Sequence, residues 1–216
     1  EQSYTTAIDK FHSFLRAHKN LGFVKLSLGK YGDAASSFSK SISLGEGDGV
    51  TYVALGYCYY MRQQFISAEN AYSMGALLLP ESKDARNGLV NCLIETNRFA
   101  EALALLNELL IKEPENSFGH RARVAALQGL GLEMEATVAL ETLKRLGNLS
   151  KEDVIRLGDL YHNLGLYDLS LQNYERAIEG DEKLSISRYI RVASILISRG
   201  SFQDCFSYLE KITGDF

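Results

Sequence analysis

The chain has 216 residues, 46% of them hydrophobic and 23% charged, with two prolines and a formal net charge of -4 at pH 7. That balance predicts a folded, soluble protein rich in long helices, and the acidic sum argues against the broad basic surface that nucleic-acid binding requires. No uncharged apolar run is long enough to span a bilayer, since even the richest stretch, Ala102 to Ile111, contains Asn107 and Glu108.

From the N-terminus, Tyr4, Ala7 and Phe11 recur at helical spacing, and residues 1–14 are read as a helix that could close an upstream unit. A 34-residue beat then takes over. Ala34, Ala68, Ala102, Ala136 and Ser170 are small residues 34 apart, and Tyr31, Phe65, Phe99, Glu133 and Tyr167 keep the same step. A period of this length predicts a stacked array in which each block buries its apolar face only against its neighbours. The expected blocks are 15–48, 49–82, 83–116, 117–150, 151–184 and 185–216, and within the last the pattern begins one residue late, at Ser187.

In the second block Tyr52, Leu55, Gly56 and Tyr59 share one helix face. After a break at Gln63 and Gln64, Phe65, Ala68, Tyr72 and Gly75 form a second helical face that Pro80 closes. So short a link predicts two antiparallel helices. This pattern resembles the tetratricopeptide repeat, a helix-turn-helix unit of the same length. The fifth block repeats it with Leu157, Gly158, Tyr161, Tyr167, Ser170, Tyr174 and Ala177, and the first with Leu21, Gly22, Gly29, Tyr31, Ala34 and Phe38. The third keeps Leu89, Phe99, Ala102, Leu106 and Pro114 but carries Val90 where the family has glycine. The fourth keeps Gly131, Ala136 and Leu140 with Glu133 in the aromatic slot. The sixth retains Gly200, Phe202, Leu209 and Ile212, with Cys205 in the small slot. The resemblance implies an all-α fold, a right-handed α-solenoid of antiparallel helix pairs in about six repeats, and a role in holding other proteins.

Each slot has a physical reason. Small residues such as Gly56 and Ala68 are expected where two helices approach closely, and aromatic residues such as Phe65 and Tyr72 where one pair meets the next. The run Gly45-Glu46-Gly47-Asp48-Gly49 lacks the Lys-Ser/Thr of a phosphate loop and the spaced carboxylates of a calcium loop, so it reads as a turn between blocks. At the far end Phe202, Phe206 and Leu209 have no polar capping helix after them before Phe216. Truncation is the favoured explanation and end-to-end self-association the alternative. The first residue, Glu1, is not Met, which fits a removed leader or an upstream domain and leaves the compartment open between the cytoplasm and export to a periplasm.

If the first helix of each pair lines the inner curve, as the resemblance implies, the contact residues lie offset from the stripe that faces the partner helix. In the second block they are Val53, Tyr57, Tyr60 and Met61, an apolar and aromatic wall. The matching positions elsewhere include Phe23, Asn87, Asn91, Arg121, Gln128, Asp159 and His162, so the surface turns polar toward the C-terminus. Such a surface suits an extended peptide or a partner helix, with aromatic anchors supplying affinity and polar groups fixing register. The competing explanation is that Tyr57 and Tyr60 only pack against neighbouring helices. Family members that hold a C-terminal carboxylate use Lys, Asn and Arg, whereas this chain puts Ala54 and Tyr57 where polar groups would be wanted.

Catalytic patterns are missing from the sequence. His12, His18, His120 and His162 are far apart, with no HExxH spacing, no Walker or dinucleotide glycine motif and no cluster of metal ligands. Three cysteines cannot form a fully paired disulfide framework; Cys58 and Cys92 share a slot in adjacent blocks and read as small buried hydrophobes, with a redox pair as the alternative. Neither a cofactor nor a metal is expected. The functional expectation is therefore a non-catalytic scaffold for a protein or peptide partner. The alternatives are a docking or regulatory segment of a larger enzyme or assembly, and a self-associating structural array.

Overall fold

The computed structural model describes residues 2–10, 14–45, 47–179 and 184–213; Phe11, His12, Glu46 and Phe216, invoked above, lie outside them. Thirteen α-helices and no strand are present among the described residues. By contact the chain divides into two compact units, Glu1–Leu105 and Leu106–Phe216.

The first unit holds α1 (Gln2–Lys10), α2 (Leu15–Ser27), α3 (Tyr31–Ser43), α4 (Gly49–Met61), α5 (Phe65–Leu78), α6 (Lys83–Glu95) and the start of α7 (Phe99–Lys112). Of the helix expected over residues 1–14, Gln2–Lys10 is described as helical, and Phe14, with φ -75° and ψ 83°, is the non-helical residue that leads into α2. Asp48 starts α4, its carboxylate accepting from the Thr51 N–H at 2.8 Å and also pairing with Lys19 of α2. Ser82 starts α6 in the same way through the Ala85 N–H. These caps end the glycine-rich turn and the Pro80 turn by satisfying backbone donors that a helix start leaves orphaned.

The second unit holds the rest of α7 with α8 (Ser117–Gly129), α9 (Glu133–Arg145), α10 (Lys151–Asn163), α11 (Tyr167–Glu179), α12 (Ile186–Ser198) and α13 (Phe202–Thr213). Asn116 caps α8, and Ser150 with Asp153 forms a reciprocal capping box on α10. The first helices α2, α4, α6, α8 and α10 begin 34 residues apart, at Leu15, Gly49, Lys83, Ser117 and Lys151, and α12 begins one residue later than that step, at Ile186. The turn inside each pair uses one backbone device: Gly29, Gln63, Asn97, Gly131, Gly165 and Gly200 all have positive φ, between 58° and 75°. There the chain leaves the helix in the left-handed conformation and ties back to it, as when the Gln64 N–H donates to the Tyr59 carbonyl at 2.9 Å.

Pairs are locked by a ring set on a glycine. A Cβ on Gly22 would lie 2.6 Å from the Phe38 ring, one on Gly56 2.8 Å from Tyr72, and one on Gly158 2.8 Å from Tyr174. The space expected to let helix axes approach is thus filled by an aromatic ring from the second helix. Tyr72 also presses on the next pair, where a Cβ on Gly88 would sit 2.3 Å from its Cζ. In the fourth block the same two positions carry Val124 and Leu140, both fully buried. Enlarging the first helix's side chain there goes with shrinking the second's, which conserves volume. Ser170, the polar occupant of the small slot, is buried with its hydroxyl donating to the Gly158 carbonyl. On the last helix Phe202, Phe206 and Leu209 are 59%, 68% and 37% exposed.

Candidate functional site

Helices α2, α4 and α6 of the first unit line a concavity of about 500 Å³. Phe23 and Leu26 of α2, and Val50, Val53, Ala54, Tyr57 and Tyr60 of α4, make its apolar side. Asp84, Asn87, Gly88 and Asn91 of α6 make the other, with Tyr72 between. The 34-residue step explains this split. Val50, Val53, Ala54 and Tyr57 occupy on α4 the positions that Asp84, Asn87, Gly88 and Asn91 occupy on α6. Repeating one geometry with a changed sequence therefore sets an apolar wall facing a carboxylate and two amides.

Tyr57 is 43% exposed in this wall and meets Tyr31 edge-on at 6.0 Å. Tyr60 is half-buried, stands edge-on to Phe65 at 5.5 Å and donates its hydroxyl to Glu95 at 3.3 Å. Burial raises the pKa of both phenols, with Tyr31 adding to the effect at Tyr57 and Glu95 at Tyr60, so both act as neutral hydrogen-bonding groups near pH 7.

Six of the sequence-derived contact residues thus meet in one place: Phe23, Val53, Tyr57, Tyr60, Asn87 and Asn91. Met61 is exposed on α4 but lines no part of the concavity. The other four belong to the second unit, where Arg121 and Asp159 are taken up by internal hydrogen bonds. Arg121 donates from Nε to Asp153 at 2.7 Å and from Nη2 to the Asn148 carbonyl at 2.6 Å. Asp159 accepts from the Tyr174 hydroxyl at 2.7 Å, from Arg188 through two nitrogens and from Arg191, joining α10 to α11 and α12. Gln128 is half-buried on α8. His162 packs on the Tyr167 ring at 5.5 Å; burial lowers its pKa, Arg191 adds to that and Asp159 opposes it.

Sequence reasoning missed Leu26, Val50, Tyr72, Asp84 and Gly88 as lining residues. The signal was present for three of them: Val50 and Asp84 extend the Val53 and Asn87 stripes by one helical turn, and Leu26 lies one 34-residue step before Tyr60. Tyr72 could not be found that way, because it reaches the concavity from a second helix over two glycines.

Cys58 and Cys92 are buried free thiols, pushed up to about 11 and about 12 by burial, with Glu69 and Glu95 adding at Cys92. Protonated thiols at physiological pH are poor nucleophiles, and the packing of Cys58 among Ala34, Phe38 and Leu55 matches a small hydrophobe. Among the described residues no group of three or more His, Cys, Asp or Glu is placed to hold a metal ion, and no helix is long and apolar enough to cross a membrane.

Family profiles described as tetratricopeptide repeat match residues 68–130 and 155–183, the stretches that contain Tyr72, Gly88 and the Gly158–Tyr174 pair. Over these stretches the chain carries tetratricopeptide repeats. Solved structures of the same fold agree with this assignment, as an α-solenoid of helix pairs. Pseudomonas aeruginosa pilF is similar over 94% of this chain and 91% of its own, with a TM-score of 0.72 at 17% identity. MamA from Desulfovibrio magneticus RS-1 covers 76% of this chain and 93% of its own, with a TM-score of 0.70 at 13% identity. YrrB, described as a TPR protein with an unusual peptide-binding site, covers 82% and 91%, with a TM-score of 0.64 at 16% identity. No curated protein matches the sequence. The tetratricopeptide slots of this chain thus set the frame, and the substitutions at Val50, Val53, Tyr57, Asp84, Asn87 and Asn91 decide what the frame presents.

Proposed function

We propose that this protein is a non-catalytic scaffold that holds a segment of another protein in the α2–α4–α6 concavity. The observation that carries the reading is Tyr57, a large aromatic residue left 43% exposed in an apolar wall opposite Asn87 and Asn91. Aromatic side chains in a concave, partly desolvated setting are the usual anchors of protein recognition, and facing amides give such a site polar selectivity. The shared fold with YrrB, itself a protein with a peptide-binding site, supports the same reading. Phe23, Val53 and Tyr60 complete the apolar wall in this proposal, whether the protein acts alone or as a docking segment of a larger assembly.

The test separates contact from packing. The wild-type chain and Tyr57→Ala/Tyr60→Ala are used to capture partners from host extract, and both are melted. Loss of a captured partner with the fold retained supports the proposal. Retention of every partner, or loss only in a variant that has unfolded, overturns it. A second reading, end-to-end self-association, is favoured by the exposed Phe202, Phe206 and Leu209 stripe on α13. It requires a scattering mass that rises with concentration and returns to the monomer value in Phe206→Lys.

A further inference from the structure

The proposed groove has a polarity that selects among segments, and this inference rests on that proposal. Among the described residues that line it, Asp84 is the one charged side chain, and it takes on α6 the repeat position that Val50 holds on α4, at the first-turn end of the lining stripe. Tyr57 and Tyr60, with Phe23 and Leu26 in the equivalent positions of α2, gather the aromatic and aliphatic surface toward the Asn91 end. Asn87 and Asn91 follow Asp84 along the same face of α6, one turn apart from each other.

Each asparagine amide offers both a donor and an acceptor, the complement of a peptide group. Neighbouring turns of α6 are about 6 Å apart, close to the distance of roughly 6.6 Å between alternate residues of an extended chain. The interior of a helix has no free N–H to give these amides, because each is already bonded within the helix, so an extended chain matches both halves of the asparagine group better. Asp84 and Asn91 are seven residues apart on α6, about 10 Å, a span that an extended chain covers in roughly three residues.

We infer that the groove takes an extended segment with its main chain along Asn87 and Asn91, a bulky apolar side chain against Tyr57 and Tyr60, and a lysine or arginine about three residues away against Asp84. Charge complementarity chooses this occupant: a cation meets the carboxylate that nothing else lining the groove neutralises, whereas an acidic segment is repelled.

A random nonapeptide library displayed on phage, selected on the whole protein and counter-selected on Tyr57→Ala/Tyr60→Ala, tests this without presupposing the motif. Dye-labelled forms of the winners are then titrated by anisotropy. The expected winners pair Phe, Tyr, Trp or Leu with a Lys or Arg about three positions away. Changing that cation to Glu should weaken binding about five- to tenfold at low salt, and less as salt rises. Asp84→Lys should reverse the preference. Asn87→Ala/Asn91→Ala should weaken every winner while its circular dichroism melt stays near wild type. Winners that depend on the tyrosines but show no cationic preference, or that bind only when helical, overturn this inference and leave the groove proposal standing. A library with no tyrosine-dependent winner overturns both.

Discussion

Tyr57 in the first unit and Asp159 in the second occupy the same position of the repeat, three 34-residue steps apart, and they behave in opposite ways. Tyr57 is 43% exposed in the wall of a concavity. Asp159 is taken up by Tyr174, Arg188 and Arg191. An apolar residue in this slot is satisfied by any surface that later covers it, whereas a carboxylate is satisfied only by donors, and here α11 and α12 supply them. A helix-array slot therefore has no fixed role; it becomes a contact surface or an internal clamp according to what the next helices bring to it.

The largest expected effect that sharpens this contrast is in stability. Asp159→Ala removes the charge-assisted bonds to Arg188 and Arg191 and takes the carboxylate acceptor from the buried Tyr174 hydroxyl, for a cost of about 2–3 kcal/mol, while Tyr57→Ala costs less than about 1 kcal/mol. Urea unfolding of the two variants measures the difference, and equal costs would break the comparison. Next, Gly56→Leu should lose about 1–3 kcal/mol by driving into the Tyr72 ring. Gly56→Val combined with Tyr72→Leu imports the Val124 and Leu140 arrangement and should melt above Gly56→Val alone; a double variant that melts lower would refute the volume exchange.

Acid should weaken the second unit through its clamps. Burial alone would raise the pKa of Asp153, but hydrogen bonds from Ser150 and Arg121 outweigh it and hold the carboxyl below its ordinary 3.8. Its contribution is therefore present above pH 3.8 and is lost as pH falls through the lower folded value. His162 has a folded pKa below its ordinary 6.5, so the unfolded chain takes up its proton first and stability begins to fall below about pH 6.5. His162→Gln should flatten the upper part of that profile, and Arg121→Gln the lower part, in unfolding free energies measured from pH 8 to pH 3. The smallest effect is at Gln63, a non-glycine residue at φ 59° in a turn where four of its five counterparts are glycine. Gln63→Gly should raise stability by a few tenths to about 1 kcal/mol, the relief of left-handed strain less the added chain entropy. A lowered melting temperature would show that the Gln63 side chain contributes more than its backbone costs.

Much of this architecture was legible because it is periodic. Phe65, Ala68 and Tyr72 announce a helix pair by their spacing, and the recurrence of that spacing announces a stack. The groove was half legible. The stripe through Val53, Tyr57, Asn87 and Asn91 follows from helical spacing, and Asp84 lies one turn beyond where that stripe was stopped. Arg121 illustrates the limit, since its residue type suits a contact surface equally well as a brace, and only the Asp153 carboxylate and the Asn148 carbonyl beside it distinguish the two.

The sequence by itself determined the helices, their pairing and their 34-residue step, because these depend on residues close along the chain or on a repeat visible within it. Only the tertiary structure decided that Tyr72 bridges two glycines on different helices, that Asp159 is clamped while Tyr57 stays open, and that an apolar wall faces two asparagines and a carboxylate. Those outcomes depend on which side chains from successive pairs arrive at one point, and helical periodicity gives each residue's direction without giving what stands opposite it.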